Sequence, residues 1–322
     1  MKQILLTIFL LLICAPMALG QQTVYPDSAK VEKLFDDYFR EYIKLNPDEA
    51  SQLGLPREWG YEYDRGSFND VSDVGIKANY DLDRKYLDEI RKIDTSKINA
   101  SQNIDLKILK WYLETQLEGE KFAYDKYFID HLTGAHSQVT NVLTEYHTIS
   151  DLQDAKDYLA RLEKIPLRLE QTQKQIDAQE KKGIRPPIYI TNRVIVSMEE
   201  FIQPAPKSNL LYQDFNRKLS LLSSIEPATA EDLRHTAELT IREKVYPAYE
   251  NFIRNLKTYL PDADSIPGVW KLPKGDKYYQ YCLKSQSTST LTSEQVYQLG
   301  LKEVKSLQNQ AKILLDSLGI RG

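Results

Sequence analysis

The sequence predicts an all-α fold, a multi-helix body, because apolar residues recur at spacings of three and four along most of its length. Prolines and glycines gather in short connectors between these periodic segments. Two Ser/Thr-x-x-Gln patterns mark further helix starts. Residues 188–196 are rich in β-branched side chains, so this segment could be one short strand instead of the start of a buried helix.

The first twenty residues predict a signal peptide. Lys2 precedes an almost continuous apolar run over residues 4–14, and Ala18 and Gly20 place small side chains at the two positions that a signal peptidase reads. Cleavage after residue 20 implies export to the periplasm or the exterior. Two alternatives stay open. The run could be a retained membrane anchor, although it is shorter than the roughly 20 residues of a span. Cys14 could be acylated, although Ile13 is bulkier than a lipoprotein signal favours.

Charge and cysteine content narrow the class of protein further. The chain has 42 Lys and Arg against 46 Asp and Glu, and the two signs alternate along the helices, as on a solvated surface. Without a basic stripe, nucleic acid is not an expected partner. Cys282 is the one cysteine left after cleavage, so no internal disulfide is expected and the thiol is interpreted as passive and partly buried.

The first 120 residues predict helices joined by one long loop. Asp27 and Ser28 are candidate caps for the first helix, and Pro47 suits a first helical position because its missing N–H needs no partner there. The predicted elements, in order, are helix 31–45, a short helix from Pro47 to Gly54, loop 59–69, helix 74–93 and helix 104–117.

The remaining chain predicts an irregular stretch and then further helices. Residues 124–149 show no regular period and are predicted to be irregular. Ser150 and Gln153 are predicted to form a capping box. The helix that follows is expected to be kinked or interrupted at Pro166 and closed at Gly183. Later elements are helices 210–223 and 228–259, the second bent at Pro247, a connector 261–275, and a final amphipathic helix behind Thr292 and Gln295. Residues 183–210 are the expected boundary if there are two subdomains.

No common catalytic motif occurs. The chain lacks HExxH, GxSxG, GxGxxG, P-loop and CxxC patterns, which excludes the enzymes that depend on them but not enzymes with scattered residues. His131 and His136 flank a bend at Gly134 and could face one ion, but Asp130 is the only nearby carboxylate, so polar loop roles are favoured.

The other candidate groups favour structural roles. His147 precedes a predicted helix and is expected to hydrogen-bond there. His235 is spaced to pair with Glu231 and Glu238 on one helix face. The polar run 285–290 is interpreted as a loop before a cap, and alternatively as an extended edge that bonds a peptide backbone.

Several blocks, in order, resemble one family. They are residues 35–39 (Phe-Asp-Asp-Tyr-Phe), 45–50 (Leu-Asn-Pro-Asp-Glu-Ala), 53–54, 105–114, 134–136 (Gly-Ala-His), 146–147, 158–166, 183–187 and 272–301. Their order and spacing resemble the bacterial domain-of-unknown-function 885 family, exported helical proteins that look like zinc metallopeptidases. The resemblance covers nearly the whole mature chain, residues 21–322, which it implies to be the N-terminal part of a helical peptidase-like domain forming one wall of a cleft.

The chain departs from the family at its metal signature. The family carries an HExxPGHxxQ-type motif well downstream of the helix that contains residues 299–301 (Leu-Gly-Leu), and this sequence contains no match to that motif. The resemblance therefore implies the N-terminal half of a secreted hydrolase of peptides, with zinc only in full-length relatives, and no metal ligand or catalytic residue here. His136, Thr288 and Thr290 are the candidate substrate-binding residues.

The same resemblance predicts partners. A peptide substrate is expected for the full-length form, and a missing C-terminal half would cover apolar faces such as Leu307, Leu314 and Leu318. No membrane contact is expected after cleavage. The alternatives are a non-catalytic helical binding or scaffold module and, third, a complete non-metal hydrolase built from scattered Asp, Tyr and His residues.

Overall fold

The computed structural model describes residues 25–320, and within them the chain is helix and loop with no strand. This confirms the helical fold class. The candidate strand at residues 188–196 is the first part of a helix, Ile188–Ile202. Its buried residues, Thr191, Val194, Ile195 and Met198, recur at spacings of three and four, so burial follows the helical period despite the β-branched composition. The predicted signal peptide lies outside the described residues.

The chain divides into two compact units between Pro267 and Gly268. In the described range the larger unit comprises residues 25–267 and the smaller one residues 268–320. The subdomain boundary predicted near residues 183–210 falls inside the larger unit.

The larger unit begins with four helices in the predicted places: α1 (Ser28–Leu45), α2 (Pro47–Gln52), α3 (Asp73–Arg91) and α4 (Ala100–Gly119). Helix α3 packs against both α1 and α4. Their apolar faces share one core that includes Val31, Tyr38, Leu82, Tyr86, Leu106 and Leu113. Pro47 opens α2 as expected, and Gly54 follows it at φ 62°, a left-handed conformation that favours glycine.

The stretch predicted to be irregular contains helix α5 (Ala135–Asn141), which runs into a π-helical turn at Val142–Tyr146. Helix α6 (Leu152–Glu180) then begins behind Asp151, whose carboxylate accepts from the Asp154 N–H at 2.8 Å. The predicted Ser150 and Gln153 capping box is therefore wrong by one residue. An acidic N-cap serves as well as serine, and here it sits one position later.

Pro166 does not interrupt α6, which is a single helix of 29 residues with the proline inside it. Ile165 and Leu169 on either side are buried, so packing holds the helix across the missing hydrogen bond. The rest of the unit consists of α7 (Ile188–Ile202), α8 (Leu210–Ser220), α9 (Pro227–Thr240), a π-helical turn (Ile241–Val245) and α10 (Tyr246–Tyr259). Helix α6 packs against α9 and α10, and α7 packs against α10, around a second core.

The smaller unit contains α11 (Gly275–Ser287) and α12 (Ser293–Ser317). The predicted capping box is confirmed: the Gln295 N–H donates to Thr292 Oγ1 at 3.3 Å, and the Thr292 N–H donates to Gln295 Oε1 at 2.9 Å. No residue of α12 is buried. Across the described range, helices that combine enough length with enough apolar character to cross a bilayer are not found.

Candidate functional site

A buried polar network centres on Arg161 in the middle of α6. Its side chain is fully buried, and its guanidinium donates in four directions. Nε donates to the Ser67 carbonyl at 2.9 Å, and Nη1 donates to His147 Nδ1 at 2.9 Å. Nη2 donates to Ser51 Oγ at 2.6 Å and to the Pro47 carbonyl at 3.3 Å. One side chain therefore joins α2, the loop after it and the residue that follows the π-helical turn to α6.

The hydrogen bond from Arg161 determines which ring nitrogen of His147 carries the proton. A guanidinium only donates, so His147 Nδ1 must accept, and the ring proton lies on Nε2. Nε2 then donates to the Asp154 carbonyl at 2.9 Å, as expected for a histidine beside a helix start. Burial and then the neighbouring Arg161 charge lower the pKa of His147 to about 3. A histidine that stays neutral far below pH 7 is poorly matched to general acid–base catalysis near neutrality.

A second arginine, Arg168, is buried seven residues further along α6. It donates to the Asn69 carbonyl at 2.6 Å and to Gln138 Oε1 at 3.1 Å, and its Nε has no hydrogen-bond partner among the described residues. Asp48 lies close enough for both Arg168 and Arg161 to act on it, yet burial outweighs them and raises its pKa.

At its outer edge the network borders a small pocket. Arg57 bridges Asp154 at 2.8 Å and Asp157 at 2.6 Å there. The pocket is lined by Ser51, Gly54, Tyr63, Arg65, Tyr146, His147, Thr148 and Asp154. Its volume of about 20 Å³ has room for about one water molecule. A cavity of that size does not hold a peptide, and the hydrogen bonds of Arg161 join the segments that surround it.

The groove between α6 and α10 is a larger concave surface, with a volume of about 410 Å³, which lies in the range of small-ligand sites. Its lining is Pro166, Leu169, Glu170, Gln173, Lys174 and Asp177 from α6, and Ala248, Asn251, Phe252 and Asn255 from α10. The sequence pattern does not reveal this groove, because the two helices are about 80 residues apart in the chain. The sequence signal for this groove would have been the carboxamide side chains that recur at helical spacing along its two helices.

The structure places the three predicted substrate-binding residues in two different units. His136 is buried in the first turn of α5 in the larger unit, where burial lowers its pKa. Its Nδ1 has no hydrogen-bond partner among residues 25–320, and its carbonyl accepts from the Tyr249 hydroxyl at 3.2 Å. Thr288 and Thr290 are exposed after α11 in the smaller unit, with Thr288 at φ 52°. A shared role in one cleft stays a prediction.

The described residues do not fit a zinc ion. No group of three or more His, Cys, Asp or Glu side chains in the described range could hold a metal. Asp130 instead accepts from the backbone N–H groups of Leu132 and Thr133, at 2.7 and 2.6 Å, and so closes its own loop. Zinc, implied by the resemblance for full-length relatives, therefore finds no ligand set in this part of the chain.

The glutamates beside His235 are paired with cations. Glu231 lies 3.6 Å from Arg234, and Glu238 lies 3.4 Å from Lys207. Both contacts are with cations other than His235, so the pairing of His235 with these glutamates stays a prediction.

Comparison with known proteins gives a family and a fold. The family described as "Bacterial protein of unknown function (DUF885)" matches residues 47–322. No curated protein matches the chain. A solved structure described as a "putative lipoprotein", from Colwellia psychrerythraea, is similar to this chain with a TM-score of 0.78 and 19% identity. The similarity covers 93% of this chain and 53% of that protein, so the chain spans about half its length.

Proposed function

Because this chain belongs to the DUF885 family of bacterial proteins, we propose that it is the N-terminal half of an exported hydrolase of peptides. Its helices form one wall of the substrate cleft, and the other half supplies the catalytic groups. His136, Thr288 and Thr290 remain the candidate substrate-binding residues of this wall. Since the described residues hold no zinc ligand set, no catalytic step is assigned to them.

The observation that carries the proposal is the apolar face of α12. Six large apolar side chains on one side of the helix and of the residue that follows it, at positions 301, 304, 307, 314, 315 and 318, are exposed, including Leu307 at 62%, Leu314 at 64% and Leu318 at 72%. A row of leucines along one helix marks an interaction surface more often than a free one. The chain spans about half the length of the similar solved structure. We therefore assign the second half of such a protein as the partner that covers this face.

Co-expression tests the proposal. This chain would be produced alone and together with the second half of a full-length family member, then assayed with a quenched fluorescent peptide library. We expect no hydrolysis by the chain alone. We expect co-purification and hydrolysis when both halves are present.

Two variants provide the matched comparison. Leu314→Glu places a charge in the apolar face and is expected to abolish co-purification. Asn309→Glu adds the same charge about 200° around the helix from Leu307, and it is expected to have no effect. Hydrolysis by this chain alone, or failure of the two halves to associate, would refute the proposal. Association without hydrolysis would favour a non-catalytic binding module.

Export is also part of the proposal. Its support is the predicted signal peptide and a structural relative described as a "putative lipoprotein". Mass spectrometry of the protein recovered from the periplasm or medium is expected to show an N-terminus at residue 21. A lipid on Cys14, or an intact apolar run, would contradict the predicted cleavage.

A further inference from the structure

We propose that the groove between α6 and α10 binds an extended peptide segment of four or five residues through its carboxamide side chains. The inference takes its ligand class from the proposed function and assigns that class a place on this chain. It concerns binding alone, so hydrolysis is not needed to test it.

The length of the groove matches such a segment. The α6 lining runs along one helix face from Pro166 to Asp177, which corresponds to a length of about 16 Å at 1.5 Å per residue. An extended chain rises by about 3.3 Å per residue, so about five residues span it. The lining of α10 repeats at spacings of three and four from Ala248 to Asn255. This wall is about 10 Å long at the same rise, so α10 borders about three residues of the segment and α6 borders its full length.

The chemistry of the walls suits a peptide backbone. Leu169 and Phe252, each only 2% exposed, form an apolar floor. Asn251, Asn255 and Gln173 provide carboxamides in the same groove. A carboxamide carries both a donor and an acceptor, so it can pair with the N–H and the C=O of an extended chain. The side chains of alternate peptide residues would then point to the apolar floor.

Gln173 has a fixed orientation that leaves one acceptor unused. Its Nε2 donates to Asp177 Oδ1 at 2.7 Å and to the Tyr259 hydroxyl at 2.7 Å. A carboxylate only accepts, so exchange of the amide N and O atoms is excluded. Gln173 Oε1 is buried and has no hydrogen-bond partner in the described range. An unpaired buried acceptor is costly, and a ligand N–H at the groove floor would relieve that cost.

The charges in the groove disfavour an anionic ligand. Its titratable groups are Glu170, Lys174 and Asp177, and the Lys174 ammonium already pairs with Glu170 at 2.7 Å. Asp177 accepts from Gln173 and from the Tyr259 hydroxyl. With two carboxylates and one cation, the lining carries a net negative charge. An uncharged backbone therefore fits better than a phosphate or a nucleic acid.

Fluorescence anisotropy with the purified chain tests the inference. The probe is a fluorescein-labelled, end-capped hexapeptide of alternating leucine and serine. We expect saturable binding. The double variant Asn251→Leu/Asn255→Leu is expected to weaken it about tenfold, since it removes two hydrogen-bonding carboxamides. Asn192→Leu, at an exposed asparagine of α7 outside the groove, is the matched control and should leave the dissociation constant unchanged.

A second probe isolates the backbone contacts. A depsipeptide of the same sequence, with ester oxygens in place of alternate N–H groups, is expected to bind several-fold more weakly. If Asn255→Leu disturbs folding, the exposed Asn251→Leu alone is expected to weaken binding about threefold. Equal affinities for peptide and depsipeptide, equal affinities for the folded variants and the native chain, or no binding at millimolar peptide would each overturn the inference.

The two proposals fail separately. Normal peptide binding by the double variant would refute the inference that the groove binds a peptide, and it would not affect the hydrolase proposal. The opposite result is also possible: the native chain binds the peptide, but no hydrolysis follows when it associates with the second half. That result would refute the hydrolase proposal and would not affect the inference about the groove.

Discussion

Mild acid is expected to destabilise the larger unit through His147. In the folded protein its pKa is lowered to about 3, by burial and then by Arg161, whereas an unfolded histidine has a pKa of about 6.5. Below pH 6.5 the unfolded chain therefore binds a proton that the folded chain does not. The stabilisation is fully present above pH 6.5 and is lost progressively toward pH 3.

The magnitude follows from the two pKa values. Each pH unit between them changes the free energy of unfolding by about 1.4 kcal/mol. When the pH is lowered from 8 to 5, about 1.5 pH units lie below the unfolded pKa of about 6.5. His147 alone should therefore lower the free energy of unfolding by about 2 kcal/mol. Because the side chain is only 6% exposed, solvent screening reduces this value little. The loss is a large fraction of the stability of an ordinary domain.

Urea unfolding at pH 8, 6.5 and 5 provides the assay, with native protein, His147→Gln and His235→Gln in parallel. Glutamine keeps a donor for the Asp154 carbonyl but does not titrate. Between pH 8 and 5 the native protein should lose about 2 kcal/mol more than His147→Gln. His136, whose pKa burial also lowers, contributes equally to all three proteins and cancels. The reasoning is refuted if His147→Gln retains the native pH dependence, or if the exposed His235 accounts for it.

Three further changes test other parts of the structure by urea unfolding. Arg161→Met should destabilise the chain by about 2–5 kcal/mol, because it leaves buried acceptors such as His147 Nδ1 and the Ser67 carbonyl unpaired; a loss below 1 kcal/mol would contradict the network. Asp83→Asn should stabilise the protein at pH 8 by up to about 4 kcal/mol and have little effect at pH 4. Burial raises the Asp83 pKa to about 7, so between about pH 4 and pH 7 the unfolded chain releases a proton that the folded chain keeps, and the stability lost over that range is absent from the variant. Asp151→Ala should cost about 1 kcal/mol through loss of the α6 cap, whereas Ser150→Ala should be neutral; the reverse order would restore the predicted capping box.

Local patterns predicted the helices whose signals are contained in a few turns. The spacing of apolar residues predicted α1, α3 and α4, Pro47 predicted the start of α2, and the Thr292 and Gln295 pair predicted the start of α12. Helix α5 and the two π-helical turns were missed. Seven residues give too few turns to show a period, and a π-turn is stabilised by tertiary packing of the residues around it.

The polar network could not have been predicted in the same way. Arg161 meets Ser51 and Ser67 only because about 100 residues of chain return α6 to α2. A charged residue in a helical pattern is ordinarily solvent-exposed, so the sequence pattern predicts the wrong environment for Arg161 and Arg168. The groove between α6 and α10 likewise joins residues whose spacing is regular on each helix but unrelated between them.

By itself, the sequence determined the helical class, most helix positions, the near-neutral charge and the family resemblance, because these depend on periodicity, composition and the order of short motifs. Tertiary structure alone decided which polar side chains are buried, that burial and then Arg161 hold His147 neutral, and that carboxamides of α6 and α10 share one groove. The physical reason is that burial and pKa depend on which helix faces meet, and that pairing is decided by packing across the whole unit.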